Sequence, residues 1–159
     1  MIDKEGLTEY YSSFDINWFL TNEEGFIVCF ASSGGMIPKL VLKYYDDLEV
    51  IERYLFSLPS VSKTIFNPFF EEIYLGQSKK VIENIKRESS FWSNRGLVFF
   101  DKSLVNYPDN SDYHLLSYPE NPILFYSLPI DIQRRLNKIR VSYSFGQNLT
   151  VDLSKIMDM

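Results

Sequence analysis

The chain has few of the residues that usually do chemistry. It carries one cysteine, Cys29, and one histidine, His114, among 159 residues. A lone cysteine cannot close an intramolecular disulfide, a usage that suits a reducing compartment. Cys29 sits inside an apolar run, where a thiol behaves as a small hydrophobe. Zinc needs several Cys and His ligands at short spacing, and one of each, far apart in sequence, cannot form that set. A Ser-His-Asp or Cys-His nucleophile would have to run through His114. His114 lies between Tyr113 and Leu115 on a predicted strand beside a loop, and is expected to be structural or exposed. These absences predict no catalytic residue, no metal ligand and no cofactor.

Long apolar runs are missing too. None approaches the ~18 residues needed to cross a bilayer, and Met1-Ile2-Asp3-Lys4-Glu5-Gly6 lacks the basic-then-apolar order of a signal peptide. The expectation is a soluble, cytoplasmic protein, so Asn148-Leu149-Thr150 is a chance glycosylation match. Basic residues are outnumbered: 16 Lys and Arg stand against 21 Asp and Glu, for a formal net charge of −5. An acidic surface repels phosphate backbones and anionic lipid, which argues against nucleic acid and membranes as partners. Mild acidity also serves solubility alone. Alanine is nearly absent, Ala31 being the sole example, while residues with A/T-rich codons abound. That bias suggests a low-G+C genome and a bacterial source.

Aromatic rings are abundant, with 13 Phe, 11 Tyr and 2 Trp. Each buried ring removes on the order of 150–250 Å² from water, so a few of them dominate a core of this size. Disordered chains are poor in aromatics, and this chain is predicted to fold, with residues 1–159 as one domain.

The clearest local signal is a hairpin. Asn17–Thr21 and Phe26–Ala31 are β-rich runs flanking Asn22-Glu23-Glu24-Gly25, with Asn where a type I turn begins and Gly where a left-handed residue is needed. The second run is almost continuously apolar, so both its faces should be covered. Leu48, Ile51, Leu55 and Leu58 recur at helical spacing and predict a helix over Asp46–Leu58, stopped by Pro59. A short helix over Pro68–Tyr74 and a longer one over Ser78–Ser89 follow, the latter capped by Ser78 with Val81, Ile82 and Ile85 inward. Strands are predicted at Leu97–Asp101, Tyr113–Tyr118, Ile123–Tyr126, Ile139–Phe145 and Leu149–Leu153, an exposed loop at Asn106–Asp112, and a third helix at Pro129–Lys138 with Ile132 and Leu136 on one face. Paired strands with helices between the pairs predict an α+β fold: a mostly antiparallel sheet built from hairpins, packed by about three helices on one side.

Other chemical motifs fail on inspection. Asp109-Asn110-Ser111-Asp112 lacks the glycine and terminal Glu of a calcium loop. Ser32-Ser33-Gly34-Gly35 follows a strand, as an anion-binding nest does, but Pro38 precedes any helix and Lys39 lies outside the pattern, so a turn is expected. Glu71-Glu72 and Asp46-Asp47 are sequence neighbours, which point to different helix faces.

What remains is recognition. Tyr10, Tyr11, Phe14 and Trp18 cluster near the amino terminus, and Tyr44-Tyr45 precede an acidic helix. Tyrosine and tryptophan supply large contact area at little entropic cost, which makes exposed clusters candidate interfaces. The candidate partner-binding set is Tyr44 and Tyr45 as anchors, with Asp46, Asp47, Glu49 and Glu52 for charge.

Three motifs, taken in order, carry a resemblance. They are Asp15-Ile16-Asn17-Trp18-Phe19 through Gly25-Phe26-Ile27 to Phe30-Ala31-Ser32-Ser33-Gly34-Gly35 and Pro38; Gly96-Leu97-Val98-Phe99-Phe100-Asp101; and Tyr118-Pro119, Pro122-Ile123 and Ser127-Leu128-Pro129. In this order the chain resembles small bacterial proteins of the toxin-immunity type. The resemblance implies an α+β fold, a cytoplasmic location and neutralisation of a basic toxin domain by binding, with no catalytic residues. Two other readings stay open: a small-ligand-binding or enzymatic module with an aromatic-lined pocket, and a scaffold subunit.

Overall fold

The structure, a computed structural model, describes residues 16–34, 37–103, 112–140 and 150–152. Six strands among them form one mixed sheet: β1 (Asn17–Thr21), β2 (Ile27–Ala31), β3 (Thr64–Phe66), β4 (Val98–Lys102), β5 (Asp112–Pro119) and β6 (Thr150–Asp152). Their order is β1-β2-β4-β5-β3, with β6 also paired to β5. The helices are α1 (Lys39–Lys43), α2 (Tyr45–Phe56), α3 (Phe70–Ile73), α4 (Lys79–Ser93) and α5 (Ile130–Asn137), with a 3₁₀ turn at Phe125–Ser127. The fold is α+β, its sheet is mostly antiparallel, and α2, α4 and α5 are its three longer helices.

The β1–β2 hairpin closes as its turn residues dictate. Asn22 accepts the Gly25 N–H on its carbonyl and the Phe26 N–H on its side chain, both at 3.1 Å, while Gly25 takes φ +82°. Every residue of β2 is buried, because β1 and β4 flank it and both faces are packed. The β2–β4 pair is parallel. A parallel pair needs a long crossover, and helices α1 to α4 together with β3 supply it between these two strands.

A bulge in β5 decides which side chains face the helices. Phe99 pairs with Ser117 but Phe100 pairs with Leu115, which leaves Leu116 as the extra residue. Three positions separate His114 from Ser117, so a regular strand would put them on opposite faces; the bulge puts both on one. On that face Phe19 meets Trp92 of α4 edge-on at 5.3 Å, and Ser117 Oγ lies 2.8 Å from Ser93 Oγ of the same helix. The opposite face carries an aromatic stack. Trp18 lies 4.2 Å from Phe30, Phe30 lies 5.5 Å from Phe100, and Tyr113 sits edge-on to both Trp18 and Phe30. All four rings are 0% exposed, which removes Trp18 from the surface cluster expected near the amino terminus. Tyr10, Tyr11 and Phe14 lie outside the described residues.

Several sequence expectations need correction. The predicted strand at Ile123–Tyr126 is reduced to a single bridge, Leu124 to Phe26. Phe125 N–H donates to Gly25 O at 2.8 Å and Ser127 N–H to Leu124 O at 2.9 Å, and these bonds wind the segment into the 3₁₀ turn. Strand β3 was not anticipated, since Thr64-Ile65-Phe66 is too short for a periodic signal. Helix α4 runs on to Ser93. Its cap is Ser78, as expected, which accepts the Val81 N–H at 3.2 Å, but the Val81 side chain is exposed. The expected loop at Asn106–Asp112 lies outside the described residues except for Asp112, which opens β5. Most of the two strands expected after Lys138 also lies outside them; Arg140 bridges Thr21 and Thr150–Asp152 forms β6.

Candidate functional site

Among the described residues, two groups of polar side chains are candidates for a site, and the sequence pointed to only one. The anticipated one is helix α2. Leu48, Ile51 and Leu55 bury its inner face, and Asp46 and Asp47 occupy the first turn, where the helix dipole favours negative charge. The six residues named from sequence then divide. Asp46 and Glu49 are exposed, and Tyr45 and Glu52 are half-buried at the same surface. Tyr45 Oη donates to Glu49 Oε1 at 3.0 Å. Burial, with Glu49 nearby, raises the Glu52 carboxyl above its ordinary range. Glu49, Glu52, Arg53 and Phe56 line an open cleft of about 310 Å³. Phe56 is 60% exposed and rests on Phe91 of α4, ring centroids 4.8 Å apart.

Asp47 and Tyr44 are used inside the fold. Asp47 is 13% exposed and binds Arg135 Nη1 and Lys138 Nζ, each at 2.8 Å. The Lys138 ammonium also lies 5.5 Å from the Tyr44 ring, with Lys43 at 5.3 Å. These contacts dock α2 on α5. They withdraw Asp47 from the outward set, a correction to the reading from sequence, where a helix position alone cannot say which carboxylate a neighbouring helix will claim. Phe56 was not anticipated as part of this surface, because its helical spacing reads equally well as core.

The second place centres on His114. Tyr74, just past α3, donates its hydroxyl to Asp101 Oδ2 at 2.8 Å, and its oxygen lies 2.9 Å from His114 Nε2. Asp101 Oδ1 accepts from Ser33 Oγ at 3.2 Å and from the Lys102 N–H at 2.9 Å. Ser103 Oγ lies 3.3 Å from His114 Nδ1. His114 is 8% exposed, and burial lowers its pKa to about 4. Burial raises the Tyr74 phenol above its ordinary value, and the Asp101 carboxylate adds to the rise. Both hydroxyl and imidazole are therefore neutral at pH 7.

These side chains come from the turn after β2, the end of α3, β4 and β5. Strands β2 and β4 are parallel, so their carboxyl ends bring Ser33 and Ser103 to the same edge of the sheet. Ser33 and Gly34 take φ +48° and +75°, which makes the segment a turn, and its Ser33 side chain is turned to Asp101. The sequence offered no signal for this cluster beyond the presence of its one histidine. Its members are brought together by sheet pairing, the β5 bulge and the docking of α3, whose preceding Asn67 donates to Leu115 O at 2.6 Å.

Cys29 is fully buried. No group of three His, Cys, Asp or Glu side chains that could hold a metal ion occurs among the described residues. Among them, too, no helix is long and apolar enough to cross a membrane. Comparison with protein-family models, with curated proteins and with solved structures finds no match in any of the three.

Proposed function

We propose that this chain is a protein-binding domain of the toxin-immunity type, which neutralises a basic toxin domain in the bacterial cytoplasm by covering it with the outward face of α2. The observation that carries this reading is Phe56, a large ring 60% exposed at the rim of a cleft that Glu49 and Glu52 also line. An exposed ring held against a second ring loses little entropy on binding, and flanking carboxylates supply steering and register toward a cationic surface. Tyr45 and Asp46 extend the same face. The net charge of −5 favours a basic partner.

Co-expression with the neighbouring gene of the native host, followed by affinity capture, should recover a stoichiometric protein partner. Reversal of charge by Glu49→Lys with Glu52→Lys should abolish capture while leaving the circular dichroism spectrum intact. Recovery of no partner, or undiminished capture by the reversed variant, would overturn the reading. The second reading, an enzymatic module, draws its support from the hydrogen-bonded cluster around His114.

A further inference from the structure

The hydrogens of the His114 cluster can be placed by counting. Tyr74 has one hydroxyl proton, and its 2.8 Å hydrogen bond to Asp101 Oδ2 uses it. The Tyr74 oxygen, 2.9 Å from His114 Nε2, must then act as acceptor, and Nε2 carries the ring proton. In the neutral imidazole this leaves Nδ1 bare. Among the described residues, the Ser103 hydroxyl lies 3.3 Å from that nitrogen and donates to it. The protons thus run one way, from Ser103 to His114 to Tyr74 to Asp101. A nucleophilic hydroxyl beside an imidazole whose tautomer is fixed by a carboxylate is the arrangement that activates serine, here with a tyrosine inserted before the acid.

We propose that Ser103 is a base-activated nucleophile that takes up an acyl group from a small ester, with His114 as its general base and Tyr74 and Asp101 as positioning residues. In the acylation step Ser103 Oγ bonds to the ester carbonyl carbon and its proton passes to His114 Nδ1. The bond from that carbon to the alkoxide breaks, and the alkoxide leaves as the alcohol with the proton from Nδ1. Hydrolysis repeats the step with water: its proton goes to Nδ1, the carboxylic acid departs, and Ser103 recovers its hydrogen. Ser103 is half-buried just past the end of β4.

Incubation of the full chain with an alkyl fluorophosphonate, read by intact and peptide mass, tests this. Wild-type protein should lose fluoride from the reagent and gain one adduct, on Ser103, and should release p-nitrophenol from p-nitrophenyl acetate in a burst of about one equivalent. Ser103→Ala should take up no adduct and show no burst. Tyr74→Phe, checked for an intact fold by circular dichroism, should label about tenfold slower or worse, since the imidazole loses its orienting acceptor. A base-assisted rate should stay level from pH 8 to 6 and fall as the imidazole protonates, toward its lowered pKa of about 4; a purely structural histidine would leave only hydroxide dependence. Labelling of wild type no faster than Ser103→Ala, or adducts on another residue, would overturn the proposal.

Discussion

Asp47 of α2 and Arg135 of α5 form an ion pair with Oδ1 and Nη1 2.8 Å apart, and Lys138 takes the second carboxylate oxygen at the same distance. One carboxylate thus receives both basic side chains and joins two helices 88 positions apart in sequence. Its neighbour Asp46 is exposed.

Two adjacent aspartates should therefore behave differently on mutation. Asp47→Asn is expected to lower the thermal midpoint by a few degrees, roughly 2–4 °C, and the loss should shrink in high salt. Asp46→Asn should leave the midpoint within about 1 °C, as exposed charges do. Differential scanning calorimetry of both variants decides it; equal shifts would show that the α2–α5 clamp contributes nothing special.

The two sides of α2 should also separate in a stability assay. Phe56→Ala trims an exposed ring and is expected to cost under about 1 kcal/mol in urea denaturation. Leu55→Ala, one residue away but fully buried, should cost about 2–5 kcal/mol. If Phe56→Ala proves as costly as Leu55→Ala, the ring serves the fold and not a partner.

Two glycines with positive φ distinguish backbone strain from a steric clash. At Gly76, φ +87°, an added Cβ would meet nothing within 4 Å, so Gly76→Ala should cost only the strain of that conformation, roughly 1–3 kcal/mol. At Gly96, φ +95°, the same atom would lie 2.7 Å from the Ile123 backbone nitrogen. That nitrogen is held in place by its 3.0 Å bond to Gly96 O. Gly96→Ala should accordingly cost more than Gly76→Ala, and comparable urea midpoints for the two would refute the close approach.

The imidazole of His114 should make the protein acid-sensitive. Its pKa is lowered from 6.5 to about 4 by burial, so between those values the unfolded chain binds a proton that the folded one does not. Stability from this group is complete above pH 6.5 and is lost as pH falls toward 4, by on the order of 2–3 kcal/mol. Comparing urea midpoints at pH 7 and pH 4.5 for wild type and His114→Asn checks it. The variant should show a smaller loss than wild type; matching losses would place the acid sensitivity elsewhere.

Much of the fold was legible because its signals are local. Asn22 and Gly25 close the first hairpin with bonds spanning three and four residues, Ser78 caps α4 within one turn, and the buried stripe Leu48-Ile51-Leu55 follows from helical spacing. Ile132 and Leu136 are buried on α5 for the same reason. The outward carboxylates of α2 were legible too, Asp47 excepted. Illegible were the parallel β2–β4 pairing, the bulge at Leu116 and the polar cluster, none of which has a period to detect.

The amino-acid order alone determined that this chain folds, that rings fill its interior, and where its three longer helices and its first hairpin turn begin, since propensity, capping and periodicity act over a few residues. Tertiary structure decided which of those side chains meet. Tyr74 reaches Asp101 and His114 across 27 and 40 positions, and strand order, register, one extra residue in β5 and the seating of α3 against the sheet set that distance. Long-range pairing is settled by the packing of the whole sheet, and no short window of sequence contains it.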